Sequence, residues 1–120
     1  MVELRLIKGK DLKEKRLAKV IGFDNTACDN FKYKLGRNVD RKELDVSYQY
    51  GAGLYFVDLK DAMRYKTFGS NLAILELDDD EDVVEIREKN ENGKISISYR
   101  SHSFNITKII SDFKKKDTRY

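Results

Sequence analysis

The chain has 120 residues and a net charge of +3; 38% of its residues are charged, 40% are hydrophobic, and it has neither proline nor tryptophan. That length fits one domain and excludes a core plus a large enclosed active site. So small a net charge excludes a general nucleic-acid magnet, and the 7 Tyr and 6 Phe, set in periodic apolar clusters, exclude a disordered chain.

Leu4 and Leu6 alternate with Glu3 and Arg5, the period of a strand with one buried face. The same alternation from Met1 to Lys8 is unlike a signal peptide. Lys10 to Ile21 reads as a helix, with Leu12, Leu17, Ala18 and Ile21 as its apolar stripe, Asp11 at the cap and Gly22 at the close. Asp24 to Asn30 is a polar turn. Phe31, Tyr33 and Leu35 then alternate with Lys32 and Lys34 ahead of Gly36, which predicts an amphipathic strand. In the polar segment 37–47, Leu44 and Val46 suit a short edge strand.

The stretch Tyr48 to Asp58, YQYGAGLYFVD, sets Tyr48, Tyr50, Tyr55 and Phe56 around Gly51-Ala52-Gly53. Gly53 to Val57 reads as a strand buried on both faces. Asp58 follows as a helix cap with Asp61 three residues on. Leu59, Ala62, Met63 and Tyr65 continue that helix, and Phe68-Gly69 predicts a left-handed Schellman end. Leu72 to Leu77 is another buried strand, followed by an acidic turn and the strand Val83 to Ile86. Asn90-Glu91-Asn92-Gly93 is a hairpin turn, and beyond it Ile95, Ile97 and Tyr99 alternate with Ser96 and Ser98. Ile106, Ile109, Ile110 and Phe113 fall at i, i+3, i+4 and i+7 and predict a C-terminal helix, capped by Asn105 or Thr107. The order predicts an α+β fold: a mainly antiparallel sheet with two to three helices, in one compact domain over residues 1–113, with a basic C-terminal tail at 114–120.

The chemistry-bearing residues are sparse. The two glycines precede their strand, and neither a third glycine nor Gly-Lys-Ser/Thr follows, which excludes dinucleotide and P-loop fingerprints. Their simple reading is geometric: they turn the backbone while the rings pack on either side of the strand. Tyr48, Tyr50 and Tyr55 are the candidate ligand-facing aromatics. His102 lies in Arg100-Ser101-His102-Ser103 without a nucleophile elbow, and one His with one Cys, Cys28, provides no zinc site. The run Asp78 to Asp82 lacks the alternation and central glycine of a calcium loop and reads as a solvated turn. No catalytic residue, metal or cofactor is assigned.

Charge is unevenly spread. Residues 1–19 carry seven basic groups against three acidic, whereas Glu76 to Asp82 holds six carboxylates. In the tail, Lys114, Lys115, Lys116 and Arg119 are candidate contacts for nucleic acid or another anion, of the salt-sensitive kind. The single Cys points to a reducing, intracellular compartment, and no apolar run approaches the ~20 residues of a membrane span.

Two resemblances add to this. Gly51-x-Gly53-Leu54-Tyr55-Phe56 followed by a helix resembles the segment that ADP-ribosyltransferases of the poly-ADP-ribose polymerase type place beneath nicotinamide. That resemblance implies NAD binding, with Tyr55 in the place of the stacking tyrosine. The family's upstream His has no counterpart, since the only His is His102, and Glu76 and Glu85 stand without its motif. A wider series comprises Cys28-x-x-Phe31-x-Tyr33-x-x-Gly36, Gly51-x-Gly53-Leu54-Tyr55-Phe56, Tyr65, Phe68-Gly69-x-x-Leu72-x-x-Leu75, Val83-Val84 and Ile106-Thr107-Lys108-Ile109-Ile110. It resembles a small domain of large DNA viruses of amoebae (mimivirus and marseillevirus types), often ahead of ankyrin repeats and with phage relatives. This second resemblance spans about residues 24–111. It implies a viral protein in the host cytoplasm, viral factory or nucleus, and no particular chemistry. The chain carries no repeats, which would make it the module standing alone.

The resulting expectation is a non-enzymatic binding module that contacts a protein partner or, weakly, nucleic acid, with self-association open and no membrane contact. The alternative is an ADP-ribosyltransferase-like NAD-binding enzyme. The surroundings of Tyr55 separate them. An enzyme needs a polar cleft with a carboxylate there; a module needs that space filled by Phe31, Leu54, Phe56 and Met63.

Overall fold

Two-residue alternation governs most of the chain, and strands are its consequence. The computed structural model describes residues 2–27 and 31–113. The strands are β1 (Val2–Lys8), β2 (Leu17–Ile21), β3 (Gly36–Val39), β4 (Leu54–Asp58), β5 (Asn71–Glu76), β6 (Asp82–Lys89), β7 (Ile95–Ser101) and β8 (Ser103–Ile110). Among the described residues, two 3-10 helices, η1 (Gly9–Leu12) and η2 (Leu59–Phe68), lie between them. Every strand pair is antiparallel, in the order β1-β6-β7-β4-β2-β5-β8-β3. The fold is therefore mostly β, and the expected α+β class is corrected. The radius of gyration, 13.7 Å, is that of one compact domain of this length.

The sheet folds over on itself. β7 runs into β8 through the single residue His102, and β4 pairs with β7 on one side and β2 on the other. Ile7, Val83, Phe56 and Tyr99 from one half meet Leu17, Ile21, Leu75, Phe104 and Ile106 from the other in a shared core. A second cluster joins Ala18, Val20, Val57, Leu72 and Ile110 to Ala62 of η2 and to Phe113. Strands β2, β4 and β5 thus bury both faces, which explains their nearly continuous apolar sequences.

This two-sided burial accounts for the misread helices. Over Lys10 to Ile21 there is only η1 and then β2. Leu17 and Ile21 point into the first cluster and Ala18 and Val20 into the second, so residues from both faces of a strand imitate a helical stripe. The C-terminal helix is likewise replaced by β8. Ile74 pairs with Lys108 but Leu75 pairs with Ile106, so Thr107 is an extra residue in the strand. That bulge shifts the strand's facing and places Ile106 and Ile109 on the same side despite their odd spacing. An i, i+3 pattern arises without a helix.

Smaller corrections follow. Phe31 to Leu35 holds one isolated bridge, Thr26 to Lys32, in place of a strand, and the short edge strand of this region is β3, not Leu44 to Val46. Gly69 is extended (φ 173°), not left-handed as a Schellman end requires. Its backbone instead lies so close to β2 that a Cβ would sit 2.1 Å from the Ile21 carbonyl oxygen. Other signals were read directly. Asp58 caps η2, accepting from the Lys60 N–H at 3.2 Å, and Gly93 takes φ +79° in the turn that joins β6 to β7.

Candidate functional site

Between β3 and β4 the chain runs through residues 40–53 without regular structure, and this loop holds the candidate aromatics. It closes on itself where the Asp45 N–H donates to the Ala52 carbonyl at 3.1 Å. Asp45 also accepts from the N–H and hydroxyl of Ser47 at 2.8 and 2.9 Å. These bonds, the backbone one first, hold its carboxyl below the ordinary aspartate range, and the charge of Arg100 adds to the effect.

The loop is fixed from beneath by Arg100 of β7, whose relative exposure is 0%. Its guanidinium donates to the Asp45 carbonyl through Nε (3.1 Å) and Nη2 (2.7 Å), and to the Gln49 carbonyl through Nη1 (2.6 Å). It also donates to the Tyr48 carbonyl, and to the Tyr55 hydroxyl at 3.1 Å. The guanidinium carbon stands 5.6 Å from the centroid of the Tyr55 ring. Tyr55 in turn donates to the Gly51 carbonyl at 2.9 Å. The buried cation is thus matched by main-chain dipoles and a ring face, not by a paired carboxylate.

Both glycines serve this arrangement. A Cβ on Gly51 would lie 2.5 Å from the Asp45 Cβ, and Gly53 combines φ +148° with close contact to Arg100 and Leu44. Tyr48 and Tyr50 project from the loop, 58% and 71% exposed, with ring centroids 5.9 Å apart in an edge-to-face pair. Tyr55 is half-buried and acts in the scaffold. Of the three candidate aromatics, two face solvent and the third holds the loop that carries them.

Beside the loop opens a cleft of about 510 Å³, lined by Phe31, Asp40, Arg41, Lys42, Tyr50 and Tyr55 and by the main chain of 51–53. The Arg41 guanidinium lies 6.0 Å from the Phe31 ring centroid. The surroundings of Tyr55 therefore combine both expected pictures. Leu54 and Phe56 are buried and Phe31 is half-buried, as packing requires, yet Met63 is exposed and a polar cleft with a carboxylate is present. A second hollow, about 240 Å³ and mostly apolar, lies by Val20, Val57, Tyr65 and Phe68. There β2 and β4 part after pairing only at Leu17–Asp58 and Ala18–Val57. Lys19 spans the gap, its Nζ donating to the Tyr55 carbonyl at 2.6 Å.

The remaining candidates take structural positions. His102 donates through Nδ1 to the Lys42 carbonyl at 2.9 Å, and its own carbonyl accepts from the Asp40 N–H at 2.8 Å, so it anchors the start of the loop. The Ser101 hydroxyl turns to the Ser103 carbonyl, not to the imidazole. The acidic turn meets the basic N-terminal segment: Lys8 pairs with Asp82 (2.6 Å) and Lys13 with Asp79 (3.2 Å), while Arg37 of β3 pairs with Asp78 (3.2 Å). Its charge is met within the molecule as well as by solvent. No group of three or more metal-binding side chains occurs among the described residues. Among them, too, no helix is long and apolar enough to cross a membrane. Cys28, Lys114, Lys115, Lys116 and Arg119 lie outside the described residues.

Sequence reading missed Arg100, Asp40, Arg41 and Lys42. Arg100 follows Ser96 and Ser98 on the polar alternate face of its strand, the pattern of a solvent-facing cation. Only the loop folded over it makes it interior. Comparison with protein-family models, with curated proteins and with solved structures returned no match. The two resemblances rest on the residues quoted for them.

Proposed function

We propose that this chain is a non-enzymatic binding module of viral origin, and that the loop 40–53 is its recognition surface for a protein partner. The observation that carries the proposal is the fully buried Arg100 holding three loop carbonyls. It fixes Tyr48 and Tyr50 outside the core before any partner arrives. Exposed tyrosines on a preorganised loop lose little entropy on binding, and Tyr and Arg dominate protein contacts. Arg41 and Lys42, at the cleft beside them, suit a partner with acidic groups. The viral part of the proposal is supported by the framework residues of the second resemblance.

The test is a quantitative pull-down with the wild-type chain and with the Tyr48→Ala, Tyr50→Ala double variant, followed by titration of the recovered partner. The proposal requires the double variant to bind the purified partner at least roughly tenfold more weakly, about 1.4 kcal/mol. Equal binding refutes it. Duplex nucleic acid should bind weakly, more weakly still in high salt, and less after Lys114→Ala, Lys115→Ala and Lys116→Ala together. Tight, salt-independent binding contradicts this.

The polar cleft with Asp40 beside Tyr55 favours a second reading, an ADP-ribosyltransferase-like enzyme that binds NAD. NAD at millimolar concentration should then raise the melting temperature, because a ligand well above its dissociation constant stabilises the fold. No shift removes this reading.

A further inference from the structure

Strand β1 stands at one end of the sheet and, among the described residues, is hydrogen-bonded on one side only, to β6. The Gly9 N–H, next in line after β1, donates to the Glu81 carbonyl at 2.8 Å, and the Lys8 N–H turns away to the Asp11 carboxylate at 2.9 Å. By the strand's two-residue period, the peptide groups of Ile7, Arg5 and Glu3 point towards β6, and those of Leu6, Leu4 and Val2 point to the open edge. Among the described residues no backbone hydrogen bond from another strand or loop reaches Val2, Leu4 or Leu6 on that edge. Long open edges are normally blunted by proline, bulges or charged side chains, and the facing charges here, Glu3 and Arg5, are opposite in sign. The chain has no proline, and the β1–β6 register runs unbroken from Val2 to Lys8. Leu6, expected with Leu4 on the buried face, is instead 55% exposed, and Ile7 on the opposite face is the residue that enters the core.

We infer that β1 binds β1 of a second copy of this chain, antiparallel about a two-fold axis at Leu4. The sequence is self-complementary in that register and no neighbouring one. Leu4 faces its own copy and Val2 faces Leu6, and in each of these pairs both peptide bonds to the open edge are exchanged. Glu3 faces Arg5 of the other copy, and Arg5 faces its Glu3. These are the non-hydrogen-bonded positions, where side chains approach most closely. A slip by two residues in one direction sets Arg5 against Arg5, and in the other Glu3 against Glu3. A slip by one residue brings opposite faces together.

The charges also continue into each sheet. Glu3 lies opposite Arg87 of β6 and Arg5 opposite Glu85, and the Arg87 Nε donates to Glu85 at 2.8 Å. Across the dimer the row therefore reads Arg87, Glu3, Arg5, Glu85, alternating in sign at every strand. The two sheets join into one, and the contact is isologous, so each β1 edge is used up in the pair.

The experiment is sedimentation and light scattering over a concentration series of the full chain. The wild type should be a dimer that loosens as salt screens the exposed pairs. Glu3→Lys alone and Arg5→Glu alone should each self-associate roughly tenfold more weakly, because like charges then face each other twice per contact. An equimolar mixture of the two should restore the dimer as a heterodimer, since both charged pairs across the contact are then opposite in sign. Leu4→Pro removes an N–H on the open edge only, so it should abolish the dimer with the β1–β6 ladder and the circular dichroism intact. A wild type that stays monomeric to its solubility limit overturns the inference. So does a dimer that survives Leu4→Pro, or a mixture that gives no heterodimer.

Discussion

Arg100→Met replaces the guanidinium by an apolar side chain and strips donors from the carbonyls of Asp45, Tyr48 and Gln49 and from the Tyr55 hydroxyl. Bonds to a charged donor contribute about 1.5–3 kcal/mol each, so a plain sum over these partners greatly overstates the loss. Two effects reduce it. Removing a buried cation recovers several kcal/mol of desolvation. The loop also lies at the surface, so the stripped carbonyls regain water once it opens. The remaining cost is about 3 kcal/mol, the low end for breaking a buried charged network. At about 4 °C per kcal/mol for a domain of this size, the melting temperature should fall by about 12 °C. Arg100→Lys should restore little, since a single ammonium cannot span carbonyls that the planar fork reaches together. The assays are denaturant titration and amide hydrogen exchange. Exchange should quicken at Asp45 and Gly51, whose N–H groups are bonded within the loop, and stay slow in β5 and β6. A stability change under about 0.5 kcal/mol, or unchanged exchange in the loop, refutes the claim that Arg100 fixes it.

Other outcomes are open to measurement. Gly69→Ala should destabilise the domain by about 3 kcal/mol or more in urea, because its methyl would press on the backbone of β2 at Ile21. Gly53→Ala should cost about 1–3 kcal/mol, from its positive φ and its contacts with Arg100 and Leu44. Tyr55→Phe keeps the ring against the guanidinium but loses the bonds to Gly51 and Arg100, so a loss of about 1–2 kcal/mol is expected with faster exchange in the loop. Burial first, and then the charge of Glu85, push the Tyr99 phenol up to about 12, whereas in the unfolded chain it titrates near its ordinary value of about 10. The unfolded state therefore ionises first, and stability that is complete below pH ~10 should be lost as pH rises towards 12. Tyr99→Phe should remove that part of the urea-midpoint profile, and an unchanged profile would assign it to other groups.

The amino-acid sequence by itself determined β1, β4, β5, β6 and β7, the turn at Asn90–Gly93 and the cap at Asp58. These depend on local alternation, on Asn-Gly turn geometry and on a carboxylate beside free N–H groups, all of which act within a few residues. It did not determine β2 or β8. Leu17, Ala18, Val20 and Ile21 serve two cores at once, and Thr107 interrupts the alternation of β8. Whether such a pattern becomes helix or strand depends on β5, distant in sequence from β2, and on its pairing with both. The candidate site divides in the same way. Tyr48 and Tyr50 were visible as loop aromatics, but Arg100 followed the polar face of its strand. Only the loop 40–53, lying across β7 in the tertiary structure, removed its guanidinium from water and turned it into the support of that loop.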